Sequence, residues 1–138
     1  MDAAMTGIEV ILMNAAEQGD MERVSSILLQ GVDVNVKDQN GMTALMHASM
    51  HGRMSVIPQL ISVFRADVNT KAVNGMTALM AASFQGHKNV VSWLLMKGAD
   101  PNAKATTGDT ALSFARKRNH TDIMSILQTA SAKMKEEG

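Results

Sequence analysis

His47 and His51 stand four residues apart, a spacing that places both imidazoles on one face of a helix. Paired histidines of this kind hold zinc in hydrolases when a glutamate directly follows the first and a third ligand completes the set. Here Ala48 takes the glutamate's place and no third ligand is apparent, so His47 reads as a helix residue, His51 as a variable tip position, and no metal is expected. Asp20 and Glu22 form an acidic turn, which reads as a solvated helix start rather than a catalytic pair. Arg116-Lys117-Arg118 is the basic cluster of the chain. It suits a solvated face, an acidic patch on a partner or, less well, nucleic acid, because no aromatic residue interleaves with it. Asn119-His120-Thr121 matches a glycosylation acceptor but falls in a turn between helices. The phosphate loops G-x-x-x-x-G-K-S/T and G-x-G-x-x-G and the nucleophile elbow G-x-S-x-G are absent from the sequence. No catalytic residue, cofactor or small-molecule substrate is therefore expected, and the chain does not read as an enzyme.

Composition narrows the field further. Thirteen basic residues balance thirteen acidic ones, so there is no general pull toward nucleic acid or anionic lipid. With no cysteine there can be no disulfide, thiol nucleophile or thiolate metal site. No apolar run approaches the roughly 18 residues of a membrane span. The start, Met1-Asp2-Ala3-Ala4-Met5, lacks the basic and apolar segments of a signal peptide, so a cytoplasmic or nuclear location is expected. Thirteen methionines against three phenylalanines and one tryptophan is an unusual balance. Methionine fills irregular core gaps and also builds adaptable binding surfaces.

What positions these residues is a repeat. Gly41-Met42-Thr43-Ala44-Leu45-Met46 returns as Gly75-Met76-Thr77-Ala78-Leu79-Met80 and, altered, as Gly108-Asp109-Thr110-Ala111-Leu112-Ser113. Gly19, Gly52 and Gly86, with Asn119 in phase, keep the same beat, as do Asp33-Val34-Asn35, Asp67-Val68-Asn69 and Asp100-Pro101-Asn102. Three markers on one period of 33 to 34 residues mean a stacked array. Thr43, Thr77 and Thr110 are placed to cap short helices, and Thr6 with Glu9 forms a capping pair before Ile8-Val10-Ile11-Leu12. Second helices follow from Val24, Ile27, Leu28; Val56, Ile57, Leu60, Ile61; Val90, Trp93, Leu94; and Ile123, Ile126, Leu127. Helices this short are not stable alone, so stacking must bury them.

The units resemble the ankyrin repeat. The third is nearest to the family pattern: Gly75-Met76-Thr77-Ala78-Leu79-Met80-Ala81-Ala82-Ser83-Phe84-Gln85-Gly86-His87-Lys88-Asn89-Val90-Val91, then Leu94-Leu95 and Gly98-Ala99-Asp100-Pro101-Asn102. The resemblance implies an all-α solenoid of about four helix-turn-helix units joined by β-turn or hairpin connections. Residues 1–7 are expected to be a flexible N-terminus. Residues 8–130 form the repeat domain, with units at about 8–40, 41–74, 75–107 and 108–130. Residues 131–138 are a polar tail that frays or extends the last helix. Departures from the pattern are informative. Ala replaces the family's Pro at Ala44, Ala78 and Ala111, and Met46, Met80 and Ser113 replace its His. The second unit has Phe64-Arg65 where the third has Gly98, which predicts a distorted turn at 63–66. Pro58 falls in the first turn of a helix, where its missing N–H is tolerated, and Asn119 can adopt positive φ in place of Gly. His87 and His120 occupy the family's turn-fixing position.

The family's variable positions are its turn tips and the exposed ends of its first helices, which line a concave groove. Here they are Glu17 and Gln18; Gln39, Asn40, Met42, Met50 and His51; Val73, Asn74, Met76, Phe84 and Gln85; and Thr106, Thr107, Asp109, Lys117 and Arg118. The central units thus offer Met42, Met50, Met76 and Phe84, either as an interface or folded back into the core, and the end units offer charge. The expected function is a non-catalytic module that binds a peptide segment or helix of another protein in this groove, as adaptor or masking regulator. The partner would carry an apolar anchor and an acidic flank, and the module would be a monomer. The alternatives are a kinase-inhibitor-like blocker of a folded enzyme and a subunit of a nucleic-acid-associated complex.

Overall fold

The computed structural model describes residues 7–137. The capping pair expected at Thr6 lies outside the described residues, as do residues 1–6 of the expected N-terminal segment. Eight helices run along the described chain: α1 (Gly7–Gln18), α2 (Met21–Leu29), α3 (Ala44–Met50), α4 (Ile57–Ser62), α5 (Ala78–Gln85), α6 (Lys88–Met96), α7 (Ala111–Lys117) and α8 (Thr121–Glu137). They pair as α1 with α2, α3 with α4, α5 with α6 and α7 with α8, while α1, α3, α5 and α7 stack side by side in one inner row. The inner helices come close because Ala15, Ala16, Ala48, Ala82 and Ala115 are fully or almost fully buried at their contacts. The core runs unbroken from Leu12 through Leu45, Leu60, Leu79 and Leu94 to Leu127.

Local chemistry sets the boundaries. The hydroxyls of Thr43, Thr77 and Thr110 accept from the N–H groups of Met46, Met80 and Ser113 and start the three inner helices after α1. At Thr110 the bond is reciprocal, because Ser113 Oγ accepts from the Thr110 N–H. Each such cap stabilises its helix by about 1 kcal/mol. Between units the chain folds into a turn finger, closed by bonds from Asp38 N–H to Met42 O, Ala72 N–H to Met76 O and Ala105 N–H to Asp109 O. Neighbouring fingers are tied laterally: Val73 N–H reaches Asn40 O, and Thr106 N–H reaches Asn74 O. No residue among those described is in a strand, so the connections are paired turns rather than sheet.

The departures from the repeat pattern have structural counterparts. Arg65 takes φ 63° in the turn that lacks glycine, and Asn119 takes φ 61° in place of the family's glycine. Pro58 stands in the first turn of α4. The array also has a polar ladder. Asn35 Oδ1 accepts from Asp67 N–H, and Asn69 Oδ1 accepts from Asp100 N–H one unit on. Asn102 continues the column, and there the Ser131 hydroxyl of the extended α8 takes the place of the backbone donor, at 2.6 Å.

Candidate functional site

The turn fingers and the inner helix row face each other across a hollow of about 330 Å³ between the second and third units. Its lining is Asn40, Met42, Met46, Met50, Ala72, Val73, Asn74, Met76, Thr77 and Ala81. The hollow has a sequence cause. His47, Ala81 and Phe114 hold the same register, each four residues after its unit's capping threonine. A large side chain in the second and fourth units and a methyl group in the third leave a gap above Ala81. Met42 and Met76, one period apart in equivalent finger positions, form part of the walls and also rest on the core.

Six of the thirteen residues expected at a binding surface line this hollow: Asn40, Met42, Met50, Val73, Asn74 and Met76. Val73 is the most exposed large side chain of the group, at 75%. Phe84, Asp109, Lys117 and Arg118 gather in a second cluster toward the fourth unit. Phe84 meets Phe114 edge to face with 5.9 Å between ring centres. The Arg118 guanidinium lies over the Phe84 ring at 4.8 Å, and the Lys117 ammonium over the Phe114 ring at 5.2 Å. Lys117 also binds Asp109 at 2.9 Å, so part of its charge is met within the chain. The Thr107 hydroxyl and then Lys117 hold the Asp109 carboxyl below its ordinary value. Gln39 and Gln85 are exposed at the finger tip and helix end. His51 is the C-cap of α3, with Nδ1 donating to the His47 carbonyl oxygen at 3.0 Å.

Met46, Ala81 and Phe114 are the residues the sequence reading passed over. Met46 stands where the family has His, and in space it lines the hollow. Phe114 could have been found from register alone, because it matches His47 and Ala81.

At the other end of the groove, His47 is held between two carboxylates. Its Nδ1 lies 2.9 Å from Glu17 Oε2 on the first unit and its Nε2 lies 2.9 Å from Asp38 Oδ2 on the finger. Both nitrogens can donate together only when both carry hydrogen. Asp38 also accepts from the N–H groups of Asn40 and Met42. Burial pushes its carboxyl up, but the hydrogen bonds from His47, Met42 and Asn40 outweigh burial and leave it below its ordinary value. This carboxylate therefore sets the finger that carries two lining residues. Two further histidines bridge units: His87 Nε2 donates to Met50 O at 2.9 Å and His120 Nε2 to Phe84 O at 3.0 Å. No three of His, Asp or Glu among the described residues are grouped to hold a metal ion, and no helix among them is long and apolar enough to cross a membrane.

Comparison with known proteins places the architecture. A family model described as ankyrin repeats (3 copies) matches residues 12–105. The chain is 42% identical over 59 residues to a probable E3 ubiquitin-protein ligase, XBOS33, of Oryza sativa subsp. japonica, covering 43% of this chain and 11% of that protein. It is 40% identical over 47 residues to a putative ankyrin repeat protein, YahD, of Escherichia coli K12, covering 34% of this chain and 23% of the relative. It is 39% identical over 54 residues to a mitochondrial disaggregase of Homo sapiens, covering 39% of this chain and 8% of that protein. Each match spans less than a quarter of the relative's own length. With threonine-capped helix pairs, tied fingers and a family match over 12–105, the chain belongs to the ankyrin repeat family.

Proposed function

We propose that this chain is a protein-binding module without chemistry of its own, which takes a peptide segment or helix of a partner into its groove as adaptor or masking regulator. The observation that carries the reading is the hollow above Ala81, walled by methionines and Val73 and open to the surface. An apolar side chain inserted there exchanges water for thioether and methyl contact, about 25 cal/mol for each Å² buried. The wall is set by helix caps and finger hydrogen bonds, so little ordering cost falls on the module. Arg116 and Arg118 lie beyond the hollow on the fourth unit and favour an acidic flank on that side. The partner is a protein with an apolar anchor followed by acidic residues.

Selection of peptides from a display library on the wild-type chain tests this, with Ala81→Phe as counter-screen. That substitution copies the side chain of the fourth unit into the third and plugs the hollow. Selected peptides should share an apolar residue beside acidic ones and lose at least about tenfold in affinity for the folded variant. Peptides that bind Ala81→Phe as well as wild type would place recognition elsewhere.

A further inference from the structure

Thirteen methionines and no cysteine leave thioether sulfur as the readiest target for an oxidant in this chain. Exposure sorts these sulfurs. Met13, Met46 and Met80 are at most 5% exposed, whereas Met96 and Met134 are 70% and 45% exposed on outer helices. Met42, Met50 and Met76 fall between the two groups, as do Met21, Met54 and Met124, and of these six the first three line the hollow.

We propose that Met42, Met50 and Met76 are a reversible oxidation site that turns the groove from apolar to polar and so releases its occupant. The inference rests on the groove reading above. In the forward step the thioether lone pair attacks the terminal oxygen of a hydroperoxide. The O–O bond breaks, an S–O bond forms, and the hydroxyl proton passes to the leaving oxygen, released as alcohol or, from hydrogen peroxide, as water. Sulfur gives up two electrons and the peroxide gains them. In the return step a dithiol supplies two electrons and two protons, the oxygen leaves as water, and the dithiol becomes a disulfide.

The surroundings make the sulfoxide costly in the occupied groove. Ala72, Val73 and Ala81 offer it no side-chain donor. The amide donors of the lining, Asn40 and Asn74, are exposed to water, so turning one onto the sulfoxide gives up its hydration. An apolar anchor seated on a sulfoxide would bury an unpaired oxygen, which lowers affinity roughly tenfold for each one. In the empty groove the same oxygen faces water and the fold loses little. The equivalent fingers and helix therefore hold a group whose change of polarity acts on binding rather than on stability. Leucine has similar volume and no oxidisable atom, so it separates the two properties of methionine.

The test treats the whole chain with hydrogen peroxide and maps sulfoxides by peptide mass spectrometry. In parallel it measures binding of a library-selected peptide whose affinity falls on Val73→Asp. Met42, Met50 and Met76 should oxidise well before Met13, Met46 and Met80, with peptide affinity falling at least about tenfold as they do. A methionine sulfoxide reductase with dithiothreitol should restore binding. The triple variant Met42→Leu, Met50→Leu, Met76→Leu sets its own starting affinity for the peptide, and peroxide should leave that affinity unmoved although Met96 and Met134 still oxidise. The proposal is overturned if the three groove sulfurs react no sooner than the buried ones, or if the triple variant loses affinity to the same degree. If no selected peptide depends on Val73, the groove reading itself fails and the release function falls with it, while the sulfoxide map still decides the chemistry.

Discussion

The His87 ring donates through Nε2 to the carbonyl oxygen of Met50, one unit back, and its face covers Gly52. His120 does the same to Phe84 and Gly86. A methyl group added at Gly86 would come within 2.7 Å of the His120 ring, and the residue has φ 83°. Gly98 has φ 97° but open space around it. Gly86→Ala should therefore cost about 3 kcal/mol and Gly98→Ala about 1 kcal/mol, the excess being the displaced ring and its bond. Urea unfolding of the two variants measures this, and equal losses would contradict it.

Ser49 and Ser83 are fully buried, and neither hydroxyl has a hydrogen-bond partner. Both stand where the family has alanine. A buried hydroxyl left unpaired costs about 1 kcal/mol or more. Ser49→Ala and Ser83→Ala should each raise the urea midpoint with an unchanged slope, by about 1 kcal/mol. A loss of stability in either would show that the hydroxyl is bonded in solution.

Asp38 gives the fold a defined acid limb. Its carboxyl is held below its ordinary value, so the folded chain keeps it ionised where the unfolded chain has already bound a proton. The stabilisation is whole above the unfolded-chain value and is lost as pH falls through the folded one. Asp38→Asn keeps an oxygen for the Asn40 and Met42 N–H groups but loses the charged contact to His47. It should cost about 1 kcal/mol at pH 7 and flatten the fall in stability as pH drops through and below the ordinary carboxylate range. Unfolding curves at neutral and acid pH decide this.

Arg65 carries a backbone conformation that favours glycine. Relief of left-handed strain should exceed the entropy cost of glycine in a turn, so Arg65→Gly should stabilise by about 0.5 to 1 kcal/mol. Asn119→Gly should gain only a few tenths, because asparagine tolerates this region. A thermal melt of each variant is sufficient. A lower midpoint for Arg65→Gly would mean that its side chain contributes more than the strain removes.

These residues also show where sequence was informative. The capping threonines, the positive φ at Asn119 and the strained turn at Arg65 were legible because each is a local event tied to one residue type. The two walls at Met42 and Met76 followed from register. The hollow between them did not, because it depends on Ala81 being small beside His47 and Phe114, a comparison across units rather than along one. The Arg118 contact with Phe84 was open to a similar reading, since Lys117, one period after Phe84, is its chain neighbour. The Glu17–His47–Asp38 group was not legible. It needs three side chains from two units to adopt particular rotamers, and neither periodicity nor composition constrains them.

The cations of the fourth unit should act unequally on a partner. Lys117 is engaged by Asp109, whereas Arg118 lies over Phe84 with its charge near the groove's end. An acidic flank meeting Arg118 gains a charge that steers association, and the gain weakens as salt screens it. Arg118→Glu should therefore slow association several-fold at low salt and reduce its salt dependence, with a smaller effect on dissociation. Lys117→Glu should do less on the same scale, because wild-type Lys117 is already partly neutralised. Phe84→Ala removes the ring that Arg118 rests on and the edge that Phe114 meets, so it should weaken both binding and the fold. Met50→Ala, within the hollow, should cost on the order of 2 kcal/mol in binding with the fold retained. Binding isotherms and association rates for the four variants at two salt concentrations resolve these contributions. If Met50→Ala leaves affinity unchanged while Arg118→Glu abolishes it, charge rather than the hollow holds the partner.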